Sequence, residues 1–126
     1  MNRFKQIVST AGLLLAFLVA GNLHAQVPTV TQDSIINSLT QNYTEKLVLT
    51  GKQEVIFKEK LQTFYLEKEQ LRQEMKGKDK LRALYELGKQ ENGEMRDVLT
   101  QEQFDLYLRI KPSLQPLEEL SMKIQN

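Results

Sequence analysis

Cysteine and tryptophan are absent from the 126 residues, histidine occurs once, at His24, and proline only three times. Without cysteine there is no disulfide framework, no thiolate nucleophile and no lipid attachment through a cysteine. His24 lies in a segment that reads as removable, so the remaining chain also lacks Ser-His-Asp and Cys-His nucleophiles and His/Cys zinc sites. What is left is carboxylate, lysine and tyrosine chemistry. Gly51, Gly77, Gly88 and Gly93 stand apart, with no GxxxxGKS/T or GxGxxG among them, so no phosphate-cradling loop is expected. Glu67 and Glu69 are two positions apart, on different sides of a helix, and do not converge as an acid–base pair. This inventory points away from an enzyme and implies no catalytic, metal or cofactor-binding residues.

Residues 1–25 read as a cleavable export signal. Arg3 and Lys5 give a positive start, Ile7 to Gly21 is mostly apolar, and Leu23-His24-Ala25 ends in a small residue suited to cleavage, with Gln26 as the mature start. The apolar run of about 15 residues is shorter than the roughly 20 that a spanning helix needs, so no stable membrane insertion is expected after processing. A periplasmic location follows. Loss of Arg3 and Lys5 moves the balance from 17 basic and 16 acidic residues to 15 and 16, which argues against a general nucleic-acid binder.

Residues 26–126 read as a single all-α domain, a small bundle or curved cradle of about four helices. Two stretches organise it: Leu49-Thr50-Gly51-Lys52-Gln53 and Leu99-Thr100-Gln101-Glu102-Gln103. In each, a Thr is followed three residues later by a Gln, the spacing of a capping box, and so each reads as a helix start. Leu99 and Phe104 occupy the positions of a hydrophobic staple around the second box; in the first, Glu54 stands where the second apolar partner would be. Pro28 keeps the lead-in extended, and Asp33 or Ser34 is expected to cap a first helix carrying Ile36, Leu39, Tyr43 and Leu47.

The second helix is the long one, from about 51 to 76, roughly 39 Å at 1.5 Å per residue. Phe57, Leu61, Phe64, Leu71 and Met75 form its stripe, interrupted by Lys68, with Ile56 and Tyr65 on one flank and Val55 and Leu66 elsewhere. Gly77 reads as its end and Asp79 as the next cap. A third helix from Lys80 to about Val98 carries Leu81, Leu84, Tyr85, Met95 and Val98, with Gly88 and Asn92-Gly93 as points of bending or breakage. Phe104, Tyr107 and Leu108 mark a fourth helix expected to stop before Pro112, and Leu117, Leu120 and Ile124 mark a short last helix or a mobile tail within 112–126.

Two features suggest a binding surface. Phe57, Leu61 and Phe64 lie on an apolar face wide enough to need partners on more than one side. Lys76, Lys78, Lys80 and Arg82, with Arg72 a turn earlier, gather positive charge at the corner after the long helix. That charge reads either as a solvated turn complementing the helix dipole or as a rim attracting acidic segments of unfolded chains or anionic lipid.

Two LTxxQ motifs, LTGKQ and LTQEQ, set 50 residues apart in a cysteine-free helical chain behind an export signal, resemble the periplasmic Spy/CpxP family. The resemblance carries over to Leu49, Thr50, Gln53, Leu99, Thr100 and Gln103 as structural residues. It implies a thin, curved homodimer of helical hairpins that holds unfolded or partly folded clients without ATP under envelope stress. It also leaves open an accessory regulator that binds a membrane sensor kinase, or a non-catalytic structural envelope protein. With His24 lost, zinc-dependent function is not expected here.

Overall fold

Threonine starts three of the four helices. In the computed structural model, which describes residues 27–116, the helices are α1 (Val30–Leu47), α2 (Gly51–Glu74), α3 (Gly77–Val98) and α4 (Gln101–Leu114), with no strand among the described residues. Thr50 and Thr100 cap α2 and α4 through full capping boxes with Gln53 and Gln103, as their spacing predicts. The cap of α1 is Thr29, not Asp33 or Ser34: the Gln32 amide donates to Thr29 Oγ1 at 3.2 Å and the Thr29 amide donates to Gln32 Oε1 at 2.9 Å. This third box follows Pro28 instead of a leucine, so it escapes an LTxxQ reading. Asp33 instead sits in the first turn, where its charge suits the helix N-terminus. Residues 1–26, where the export signal is expected, and residues 117–126, where the short last helix or tail is expected, lie outside the described residues.

The corners differ from expectation in instructive ways. Between α1 and α2 the chain turns in three residues, with Val48 left-handed at φ 54° and both Val48 and Leu49 amides returning to the Thr44 carbonyl. A β-branched residue there costs about 1–2 kcal/mol, and it is held because Leu47 and Leu49 on either side are buried. Helix α2 ends at Glu74, two residues early, because Met75 is extended. Gly77, at φ 64°, belongs to the start of α3 and not to the end of α2. Asp79 therefore lies inside the first turn, and Lys76 takes the cap position without a side-chain cap bond.

Helix α3 continues unbroken through Gly88 and Gly93. Each glycine costs about 1 kcal/mol relative to alanine, less than the packing of Leu84, Leu87 and Met95 supplies. Helix α4 likewise runs through Pro112 to Leu114. The proline removes only one amide donor, in the last turn, and side chains on both sides of it are anchored: Lys111 on Glu91 at 2.7 Å and Gln115 on the Tyr43 hydroxyl at 2.7 Å.

Each helix backbone runs beside two others, in the order α1–α2–α3–α4 and back to α1, while the diagonal pair α2 and α4 meets through side chains. The ring encloses Tyr43, Leu47, Leu49, Phe57, Leu61, Met95, Leu99, Phe104 and Tyr107 as one cluster. At its centre the rings of Tyr43, Phe57 and Tyr107 lie 5.1 to 6.1 Å apart in tilted and edge-on geometry, one aromatic from each of three helices. Leu99 and Phe104 both join this cluster, as the staple requires. Leu66, expected on the surface, is buried, whereas Tyr85 and Leu108, expected on core-facing stripes, are exposed.

Val48 is 78% exposed and loses little burial when truncated. Val48→Gly should raise stability by about 1 kcal/mol, read as a higher urea midpoint at unchanged slope; a lower midpoint would mean that the left-handed turn carries no strain.

Candidate functional site

The two LTxxQ motifs meet. Gln53 and Gln103 stand at the third position of α2 and α4, and their side-chain amides pair reciprocally: Gln53 Nε2 donates to Gln103 Oε1 at 2.8 Å, and Gln103 Nε2 donates to Gln53 Oε1 at 3.2 Å. Each Oε1 also accepts its own cap amide, from Thr50 or Thr100, at 3.0 Å. The second hydrogen of each Nε2 reaches the end of the helix preceding the other motif, Gln53 to the Val98 carbonyl at 3.1 Å and Gln103 to the Leu47 carbonyl at 3.2 Å. An amide side chain can accept twice and donate twice, and here all four capacities are used. Leu49 and Leu99 bury the residue before each cap. The six motif residues thus form one junction joining both N-termini to both preceding C-termini.

A second polar arrangement lies in the interior. Lys68 of α2, the residue that interrupts the apolar stripe, is 1% exposed and bonds Glu91 Oε1 of α3 at 2.9 Å. Lys111 of α4 bonds the same oxygen at 2.7 Å and also donates to Asn92 Oδ1 at 2.7 Å, which the Tyr107 hydroxyl approaches at 3.3 Å. Glu91 is fully buried, and its Oε2 has no hydrogen-bond partner. Glu91 and Lys111 were not singled out from the sequence, yet the signal was present: Leu84, Leu87, Glu91, Met95 and Phe104, Tyr107, Lys111 follow helical stripe spacing, with a charge at a core position. The layer is almost entirely buried and ties α2, α3 and α4 together.

Of the residues expected to meet a client, Phe57, Leu61 and Phe64 are core residues and present no free surface on the four-helix body. Lys76, Lys78 and Arg82 are exposed at the α2–α3 corner, and Lys80 is half-buried there. The accessible apolar surface lies elsewhere. A cleft of about 240 Å³ is walled by Ile35 and Leu39 of α1, by Tyr65, Lys68, Glu69 and Arg72 of α2, and by Leu114, Gln115 and Pro116 at the end of α4. Arg72 pairs with Glu69 at its edge. Desolvation pushes the Tyr65 hydroxyl above its ordinary range, with Glu69 adding to the shift and Arg72 opposing it. Across the hairpin, partial burial, reinforced by the nearby Glu94 carboxylate, raises Glu67 above the usual carboxylate range. A second cleft, polar and including Asn37, Thr44, Glu54 and Lys58, lies between α1 and α2.

No family model, curated protein or solved structure matches this chain. The site is therefore read from its own chemistry. Among the described residues no helix is long and apolar enough to cross a membrane. Features available to an outside molecule include the apolar cleft with its arginine edge and, just past the end of α2, the basic corner that begins at Lys76.

Breaking the buried layer should cost far more than replacing it. Glu91→Gln should lower stability by roughly 3–5 kcal/mol, whereas Lys68→Met, Glu91→Leu and Lys111→Met together should leave it near or above the parent. Urea denaturation of both variants decides: a triple variant as unstable as the single one would show that the charges stabilise the fold in net terms.

Proposed function

We propose that this protein is an exported, non-catalytic member of the LTxxQ class, similar to the Spy/CpxP family, that holds unfolded or partly folded clients without ATP. The observation that carries the reading is the junction of the two motifs: every motif residue has a distinct physical task, and the two glutamines have tasks only because both copies are present. Two chance capping boxes have no reason to meet in this way. The reading places the protein in the periplasm as a homodimer, with clients as its partners and with no cofactor.

The client seat is the α1–α2–α4 cleft, which replaces the aromatic face expected from the sequence. Ile35, 40% exposed, with Leu39, Tyr65 and Leu114 offers an apolar wall, and Arg72 offers a charge at its edge. One client side chain buried there contributes about 1.5–3 kcal/mol, and the ordering of the client offsets part of it. Contacts of that size are weak and reversible, as release without ATP requires.

The test is light scattering from a chemically denatured test protein diluted with and without residues 26–126 at equal molarity. Suppression of aggregation that is lost in Ile35→Glu, with helical circular dichroism unchanged, is the expected outcome. Absence of suppression even at large molar excess would overturn the reading.

A further inference from the structure

The hairpin of α2 and α3 reaches past the end of α4. Leu114, the last residue of α4, walls the same cleft as Tyr65 and Lys68 of α2, and Lys111 pairs with Glu91 of α3. Between Glu91 and the start of α3 at Gly77 lie about 21 Å of helix, and about 33 Å of α2 separate Gln53 from Met75. The α2–α3 corner therefore stands at one end of the described body and the glutamine junction at the other.

This end carries charge that the fold does not use. Lys76, Lys78 and Arg82 are exposed and Lys80 is half-buried, and none of the four enters an ion pair among the described residues, whereas Arg72 is paired with Glu69. Only Glu74 and Asp79 oppose them within residues 73–82, and Glu74 already accepts a hydrogen bond from the Gln70 amide. The whole chain has 17 basic residues against 16 acidic, so the excess is a local feature of one end. Leu71, Met75 and Leu81 are half-buried in the same turns, which brings apolar atoms to the surface among the cations.

We propose that the α2–α3 corner is a peripheral docking site for the anionic headgroups of a lipid bilayer, with Lys76, Lys78, Lys80 and Arg82 among the phosphates and Leu71, Met75 and Leu81 at the interface. Charge complementarity carries the choice: lysines and arginines without an internal partner are drawn to an anionic surface, and salt screens the attraction. Shape separates a bilayer from an acidic polypeptide. A polypeptide is held in a groove or along a sheet edge, whereas a helix corner is a projecting end, and a headgroup layer closes around a projection. The methylenes of Lys and Arg lie along apolar surface while their charged ends stay among the headgroups. Docking is peripheral, since no described helix is long and apolar enough to cross a membrane. The inference does not depend on client holding.

Cysteine is absent from the sequence, so one environment-sensitive dye can be placed on the full chain at Gln73→Cys, near the end of α2, or at Gln101→Cys, at the opposite end. Vesicles of equal parts phosphatidylcholine and phosphatidylglycerol should shift the emission of the dye at position 73 to the blue and leave the dye at position 101 unchanged. Vesicles of phosphatidylcholine alone should shift neither. Roughly 1 M salt, where the Debye length is about 3 Å, should reverse the shift. With Lys78→Gln and Arg82→Gln added, the half-maximal shift should require roughly 25-fold more lipid, about fivefold per charge. Equal responses at the two positions, or equal responses to the two kinds of vesicle, would overturn the proposal, as would an unchanged lipid requirement in the double variant. A dye at position 73 that responds to poly-glutamate but to neither kind of vesicle would assign the corner to acidic polypeptides and overturn it likewise.

Discussion

The reciprocal amide pair of Gln53 and Gln103 is the constraint on which the ring of four helices depends. Helix ends carry unsatisfied amides at the N-terminus and unsatisfied carbonyls at the C-terminus, with partial charges of opposite sign. Here the starts of α2 and α4 meet the ends of α1 and α3, and two primary amides join the four ends with every donor and acceptor used. A glutamate at either position would still cap its own helix, but it would have no hydrogen to give to the opposite carbonyl. The capping box explains why the motif starts a helix; the bond across the bundle explains why the residue is glutamine.

The junction organises what lies beside it. Leu49 and Leu99 enter the core next to the two caps, and the Tyr43, Phe57 and Tyr107 rings fill the space between three helices. Farther along α2, the Lys68–Glu91–Lys111 layer sets the register of three helices in place of further apolar packing. Buried charges gain less than they cost unless each is paired, so this layer contributes specificity of arrangement more than net stability. Because it is almost entirely buried, surface chemistry falls to the cleft beside α1, which Lys68 helps to wall, to Arg72 and to the basic corner after α2.

Much of the fold was legible because its strongest signals are local. The Thr50 and Thr100 boxes depend on residues three apart, and Ile36, Tyr43, Leu47, Phe57, Leu61 and Phe64 fall on helical stripes that are buried as their spacing requires. What sequence reading missed depends on partners far along the chain. Pro112 looks like a stop until Lys111 and Gln115 are seen to be anchored on α3 and α1. Lys68 looks like an interruption until Glu91 lies opposite it. The same wide apolar face suggested a client surface, yet a stripe does not say whether its cover is another part of the same chain. Here α1, α3 and α4 cover Phe57 and its neighbours, and exposed apolar surface remains at Ile35 instead.

The central claim is that the two motifs act as one unit, and a double-mutant cycle on Gln53→Ala and Gln103→Ala, read by urea denaturation, tests it most directly. Removing either glutamine already breaks the reciprocal pair, so the second removal should cost less than it does in the parent, by about 1 kcal/mol or more. Losses that add within about 0.3–0.5 kcal/mol would mean that the motifs are two independent caps, and the account of the junction would fail.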